Sequence, residues 1–123
     1  MARDPLSDRV IGLAIDVHKT LGPGLLESVY EECLCRELEI AGLSFQRQLS
    51  VPVTYKGSQL ESGFRADIVV EKDLLLEIKA VEKLMPVHEA QVLTYLRFGG
   101  FSTGLPVNFN SKLLKDGLKR FVL

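Results

Sequence analysis

The strongest constraint on the fold is a pair of short apolar runs with charged residues set at their ends. Residues 68–70 (IVV) and 74–76 (LLL) are separated by the polar residues 71–73 (EKD), a pattern typical of two strands joined by a tight turn. Because side chains alternate across a strand, Glu77 and Lys79 are expected to project from one face, with their backbones about 7 Å apart. The predicted hairpin therefore carries two charged groups close together on a buried element.

Acidic residues stand where the two predicted strands begin and end, since Asp67 precedes the first run and Glu77 follows the second. A carboxylate in an apolar strand is unfavourable unless it is paired or bound to a cation. Asp67 and Glu77 would offer hard oxygen ligands to one Mg²⁺, with Mn²⁺ as its substitute, and the carbonyl of Ile78 would add another oxygen. Lys79 would position a water or offset charge in a phosphoryl-transfer transition state. These residues alone, however, favour a structural ion pair between Lys79 and one of the two acids.

Size and composition indicate one soluble globular domain spanning residues 1–123. The chain is 46% hydrophobic and 25% charged, and it has no apolar run near the ~20 residues of a membrane span. The N-terminal MARDPLSDR lacks a signal-like apolar core, so we expect a cytoplasmic protein with no membrane partner.

Cys33 and Cys35, two apart in a helical pattern, are expected to be reduced thiols. A net charge of −1 is unusual for a dedicated nucleic-acid binder but does not exclude a phosphodiester enzyme, because a bound metal supplies positive charge locally.

The other elements are predicted from periodicity and turn residues. Apolar spacing predicts a first helix capped by Ser7 and ended by Gly-Pro-Gly at 22–24, followed by a second helix over residues 25–41. A strand is predicted over residues 45–55, in which Pro52 indicates an edge or a bulge. The later predicted elements are a returning strand at 60–64, a helix at 88–98, a strand at 104–109, a short helix from Ser111 and an edge strand at 121–123.

Three glutamates lie in the first turns of the second predicted helix. Glu31 and Glu32 are accounted for by a favourable interaction with the helix dipole. Glu27 borders the apolar stripe that carries Tyr30, so an inward orientation is open to it, although periodicity alone favours a solvent-exposed glutamate.

Several motifs together resemble one known family. Residues 24–30 (GLLESVY) have the form GxxExxY, and they occur with Asp67, with residues 77–84 (EIKAVEKL), with residues 91–95 (QVLTY) and with residues 104–110 (GLPVNFN). In order and spacing, over about residues 10–122, these resemble the GxxExxY protein family of the PD-(D/E)XK nuclease superfamily. One departure is that Ala66 stands where the superfamily pattern has proline.

The resemblance implies an α/β fold with a restriction-endonuclease-like core, in which helices flank a mixed central sheet. It assigns Asp67 and Glu77 as metal ligands and Lys79 as the catalytic lysine. It also implies that Glu27 completes the metal site, directly or through water, and that Gln91 makes a site-facing contact. Tyr95 is equally well explained as a site-facing residue or as an aromatic residue of the core. His88 is better explained as a residue at the start of a helix than as a metal ligand.

The resemblance also implies a function, a metal-dependent nuclease that hydrolyses phosphodiester bonds in DNA or RNA with Mg²⁺. DNA is favoured over RNA as the nucleic-acid partner, and a homodimer is expected as a way to reach two strands. Two alternatives stay open. The first is a non-catalytic nucleic-acid- or protein-binding module that retains the nuclease fold, and the second is a buried ion-pair network without a ligand.

Overall fold

A computed structural model describes residues 4–123. The elements are helices α1 (Pro5–Leu21), α2 (Glu27–Ile40) and α3 (Pro86–Gly99), strands β1 (Phe45–Tyr55), β2 (Ser58–Val70), β3 (Leu74–Lys79), β4 (Thr103–Asn108) and β5 (Phe121–Val122), and a 3₁₀ helix (Leu114–Gly117). The sheet order is β1-β2-β3-β4-β5, with β3 and β4 parallel and the other pairs antiparallel. The predicted mixed sheet flanked by helices is confirmed. None of the helices in the described part is long and apolar enough to span a membrane.

The sheet separates two apolar layers, which is why the central strands are apolar on both faces. Val10, Leu34 and Leu38 of α1 and α2 pack on one face, and Val92 and Leu96 of α3 pack on the other. Residues 74–78 of β3 are all buried, as expected for a strand that is covered on both sides. Glu77 is the one charged residue in that buried run.

Both helices that contain an early proline begin before the predicted position. Asp4, rather than the predicted Ser7, caps α1, with its Oδ1 accepting from the N–H of Leu6 at 3.1 Å. Ser7 is buried inside the helix. Pro5 and Pro86 are the first residues of α1 and α3, a position where proline is favourable because the first helical turn needs no N–H donor.

The remaining elements lie close to their predicted positions. β1 is an edge strand, and its register shifts between Pro52 and Thr54, so Pro52 lies both at an edge and beside a bulge. The short helix predicted from Ser111 is the 3₁₀ turn Leu114–Gly117. The tail adds β5 at the other edge of the sheet, where Val122 pairs with Thr103.

The long β1–β2 hairpin changes faces partway along its length. Ile68 and Val70 pack in the layer of α1 and α2, whereas Phe64 and Ala66 pack in the layer of α3. Simple alternation would put all four on one face, so the reversal falls at Asp67. We call residues 49–66 beyond this reversal the arm. The arm packs against α3, where the ring of Phe64 stacks on that of Tyr95 with centroids 3.7 Å apart.

Tyr30 fixes the loop between α1 and α2. Its buried ring stacks on Phe109 with a centroid separation of 4.6 Å. Its hydroxyl donates to the carbonyl of Gly22 at 2.6 Å and accepts from the N–H of Leu25 at 3.1 Å. The tyrosine of the GxxExxY pattern thereby sets the path of the chain into α2, whose first residue is Glu27.

We expect Tyr30→Phe to lower the free energy of unfolding by about 1 to 2 kcal/mol, because the loop loses both hydroxyl hydrogen bonds while the ring stack stays. Tyr55→Phe is the matched control, since Tyr55 is 60% exposed on the arm. It should change the free energy by less than about 0.5 kcal/mol. Urea denaturation of the three proteins measures both values. Equal stabilities for the two variants would show that the hydroxyl does not hold the loop.

Candidate metal centre

The candidate site lies where β2 and β3 part. Their paired residues end at Ile68 and Leu76, while β3 continues beside β4 as far as Lys79. Beyond the last pair, side chains replace the ladder hydrogen bonds. Oε2 of Glu77 accepts from the N–H of Asp67 at 2.9 Å, and Oδ2 of Asp67 accepts from the N–H of Ile78 at 2.8 Å. Each carboxylate is therefore held by a main-chain N–H of the opposite strand.

The two carboxyl groups carry more negative charge than their surroundings stabilise. Glu77 is 3% exposed, and burial, followed by the charge of Asp67, raises its pKa to about 8. Burial also raises the pKa of Asp67. Within residues 4–123, no lysine or arginine forms a salt bridge with either carboxylate. A divalent cation would supply the missing positive charge.

Lys79 is held near the acids by an amide. Its Nζ donates to Oε1 of Gln91 on α3 at 2.7 Å, and Nε2 of Gln91 donates to the hydroxyl of Tyr95 at 3.1 Å. The ion pair between Lys79 and Asp67 or Glu77, which those residues alone favoured, does not form. Gln91 contacts the lysine and not the carboxylates, whereas Tyr95 both packs in the α3 layer and binds Gln91.

Glu27 lies at the outer edge of the site. It is exposed, and its Oε2 accepts from the N–H of Ala80 at 3.1 Å, directly after Lys79. Asn108 holds the same segment, because its side-chain amide forms hydrogen bonds with the N–H (3.0 Å) and carbonyl (2.8 Å) of Val81. The structure thus places Glu27 beside the end of β3, but outside the buried pair.

Glu31 belongs to the site although its sequence position does not indicate this, because a favourable interaction with the helix dipole explains a glutamate there. The residue is buried, and its carboxylate accepts from Nε of Arg47 at 2.5 Å and from Nε2 of Gln48 at 2.9 Å. Its charge contributes to raising the pKa of both Asp67 and Glu77. The available signal was its spacing, one turn after Glu27 and three residues before the buried Leu34.

Other candidate ligands are accounted for without a metal. Nδ1 of His88 accepts from the N–H of Met85 at 2.9 Å, so His88 caps the start of α3 as expected. Cys33 and Cys35 are free, and burial raises the pKa of Cys35 to about 11, which leaves it a poor ligand at neutral pH.

Asp67 and Glu77 nevertheless fit a particular kind of metal. Among residues 4–123, no three His, Cys, Asp or Glu side chains are grouped to form a closed metal cage. Mg²⁺ does not need one, because it commonly binds to one or two carboxylates and fills its other positions with water or substrate oxygens. Two adjoining carboxylates and the carbonyl of Ile78 suit such an open site.

Comparison with known proteins agrees with this fold. A family model for the PD-(D/E)XK nuclease superfamily matches residues 4–121. The chain therefore belongs to the PD-(D/E)XK nuclease superfamily, which indicates a nuclease-type function and a nucleic-acid partner. Neither the curated proteins nor the solved structures contain a significant match.

The raised pKa of Glu77 predicts how stability depends on pH without metal. Because the folded-state pKa (about 8) exceeds the ordinary value of 4.5, the stabilising contribution is complete below pH 4.5 and is lost as the pH rises through 8. In EDTA, we expect wild type and Glu77→Gln to have similar free energies of unfolding near pH 5. By pH 8 the variant should be more stable by a few kcal/mol, at about 1.4 kcal/mol per pKa unit. Chemical denaturation at several pH values measures both free energies. If they depended on pH in the same way, the raised pKa of Glu77 would be contradicted.

Proposed function

We propose that the protein is a Mg²⁺-dependent nuclease that hydrolyses phosphodiester bonds in DNA or RNA, with DNA favoured. The observation that supports this most directly is that Glu77 accepts from the N–H of Asp67, and Asp67 from the N–H of Ile78, at the point where β2 leaves β3. This arrangement creates a partly open acidic site next to a lysine that no carboxylate neutralises. Those are the charges that phosphodiester hydrolysis needs, a place for a metal and a separate cation.

Asp67 and Glu77 are the proposed metal ligands, with the carbonyl of Ile78 as a third oxygen. Glu27, exposed at the start of α2, would act through a water. Mn²⁺ would substitute for Mg²⁺, because both accept octahedral oxygen ligands. When bound, the ion would polarise the phosphoryl group and lower the pKa of a water.

Lys79 is the proposed catalytic lysine. Gln91 holds its ammonium group through a neutral oxygen at 2.7 Å, so the full charge stays available for the substrate. From this position it would orient the attacking water or stabilise negative charge on the phosphoryl oxygens in the transition state. Gln91 is accordingly proposed to act through Lys79.

The arm offers a surface for nucleic acid beside the acids. The arm contains two basic residues, Lys56 and Arg65, and one acidic residue, Glu61, although the whole chain has a net charge of −1. A groove of about 630 Å³ runs along the arm and includes Arg65, two residues before Asp67. The lining carries one positive charge, on Arg65, and one negative charge, on Glu61, so a contact with the phosphate backbone would be made by Arg65.

Family, compartment and oligomeric state are further parts of the proposal. The loop that Tyr30 closes around Gly24 and Glu27 supports placing the chain in the GxxExxY family. Two free cysteines fit a reducing compartment, and we propose the cytoplasm. A homodimer would let two such small domains act on both strands of a duplex.

The first test separates metal binding from cleavage. We expect Asp67→Ala to abolish Mn²⁺ binding in isothermal titration and to abolish cleavage of plasmid, single-stranded DNA and RNA. Lys79→Ala should bind Mn²⁺ like wild type but cleave about 10²- to 10³-fold more slowly, because it removes only transition-state stabilisation.

Lys83→Ala is the matched control, since Lys83 is an exposed lysine in the segment after β3. It should retain both properties. A wild type that binds Mn²⁺ but cleaves none of the substrates would favour the binding module, and unchanged cleavage by Asp67→Ala would rule out the proposed site.

A second test concerns Gln91. We expect Gln91→Ala to lower kcat about 10- to 100-fold while the Kd for Mn²⁺ stays unchanged, because the lysine loses its fixed position but the carboxylates keep theirs. Gln91→Glu would place a negative charge beside the ammonium of Lys79, and its kcat should be at least as low as that of Gln91→Ala. Titration and single-turnover cleavage measure the two quantities, and a weaker Kd in Gln91→Ala would show that Gln91 serves the metal instead.

A further inference from the structure

Gln48 has a backbone conformation that a strand residue rarely adopts. Its φ is +53°, in the left-handed region, although it is not a glycine and lies within β1. Among the described residues, the other non-glycine positions with positive φ are Lys56, Glu71 and Lys72, all in hairpin turns. Such a conformation persists only where surrounding contacts enforce it, and it is often found at functional sites.

The unusual conformation directs Gln48 to the acidic site. Its Nε2 donates to both carboxylate oxygens of Glu31, at 2.9 and 3.2 Å, and lies 3.5 Å from Oδ1 of Asp67. In a regular strand, Arg47 and Gln48 would point to opposite faces. Here both contact Glu31, because the left-handed residue breaks the alternation.

The contacts of Gln48 connect two separate elements. Glu31 belongs to α2, and Asp67 lies on β2 at the point where the hairpin changes faces. Oδ2 of Asp67 is occupied by the N–H of Ile78, so Oδ1 is the oxygen left to face a cation, and Gln48 adjoins it. The amide thus lies beside the carboxylate of Glu31 and beside Oδ1 of the proposed ligand Asp67.

We propose that Gln48 is a positioning residue for the metal centre, which anchors the carboxylate of Glu31 and orients Oδ1 of Asp67 toward the bound cation. This role rests on the proposed function, since it assumes that Asp67 is a metal ligand. Groups that orient metal ligands typically affect metal affinity by 10- to 100-fold. The strained backbone at Gln48 is then the consequence of directing a donor to both acids.

Gln48→Gly tests this role at a position whose backbone conformation glycine adopts freely. The variant relieves the backbone, which offsets the hydrogen bonds that the buried carboxylate of Glu31 loses. We expect its thermal midpoint to stay close to that of wild type, while its Kd for Mn²⁺ in isothermal titration becomes 10- to 100-fold weaker. The electron paramagnetic resonance spectrum of bound Mn²⁺ should also change, because the ligand geometry is altered.

Lys56→Gly is the matched control. Lys56 has a φ of +48° in the turn of the same hairpin, so glycine relieves a similar backbone there without touching the acids. It should raise the thermal midpoint slightly, because no hydrogen bond to the acids is lost, and leave the Kd and the spectrum of Mn²⁺ unchanged. A loss of Mn²⁺ affinity in Lys56→Gly as large as that in Gln48→Gly would overturn the proposal, because the effect would then belong to the hairpin backbone.

A double-mutant cycle identifies the partner through which Gln48 acts. In a Glu31→Gln background, Gln48→Gly should weaken Mn²⁺ binding by a clearly smaller factor than in wild type, because the carboxylate it anchors is gone. An equal factor in both backgrounds would overturn the role of Glu31. If wild type and Gln48→Gly bind Mn²⁺ equally, the positioning role is wrong and the proposed nuclease stands. Absence of Mn²⁺ binding to wild type would instead overturn the metal centre itself, and the role of Gln48 with it.

Discussion

The structure depends on one exchange of hydrogen bonds, in which Asp67 and Glu77 each accept from the other strand's main chain. Where two strands separate inside a protein, their N–H groups lose their partners, and an unpaired buried donor is unfavourable. The carboxylates satisfy those donors and let β2 turn away from β3. The result is two acids close together, and burial raises the pKa of each, with the charge of Asp67 raising that of Glu77 further. The hydrogen bonds that let β2 and β3 separate thus also bring together two acids whose charge a cation would neutralise.

The surrounding layers support this separation from both sides. On one side, the stack of Tyr30 on Phe109 and its hydroxyl contacts fix the start of α2, which carries Glu27 and Glu31. On the other side, the stack of Phe64 on Tyr95 holds the arm against α3, which carries Gln91. Polar groups of the site are therefore positioned by aromatic packing in the core, where rotations are restricted.

The partner of the lysine is as informative as the pairing of the acids. An ammonium beside two carboxylates would be expected to neutralise one of them, yet Lys79 is held by the amide oxygen of Gln91. A neutral partner fixes the position of the charge without cancelling it. Over the part of the chain that the structure describes, Asp67 and Glu77 have no salt bridge to a cation, and Lys79 has none to an anion. This arrangement suits a site in which a metal ion would neutralise the acids and a phosphate would neutralise the lysine.

The sequence by itself determined the hairpin around residues 71–73, the apolar strands and most helix positions, because periodicity and turn chemistry are local properties. It also singled out Asp67, Glu77 and Lys79, since charges stand out in an apolar strand. Only the tertiary structure decided the contacts of Glu31 and Gln48. In the sequence, Glu31 is indistinguishable from an exposed helix glutamate, and its contact with β1 appears only in the folded chain. The direction of the Gln48 side chain follows from a left-handed φ that strand alternation does not predict. Such contacts join residues 17 to 19 positions apart, so no local pattern records them.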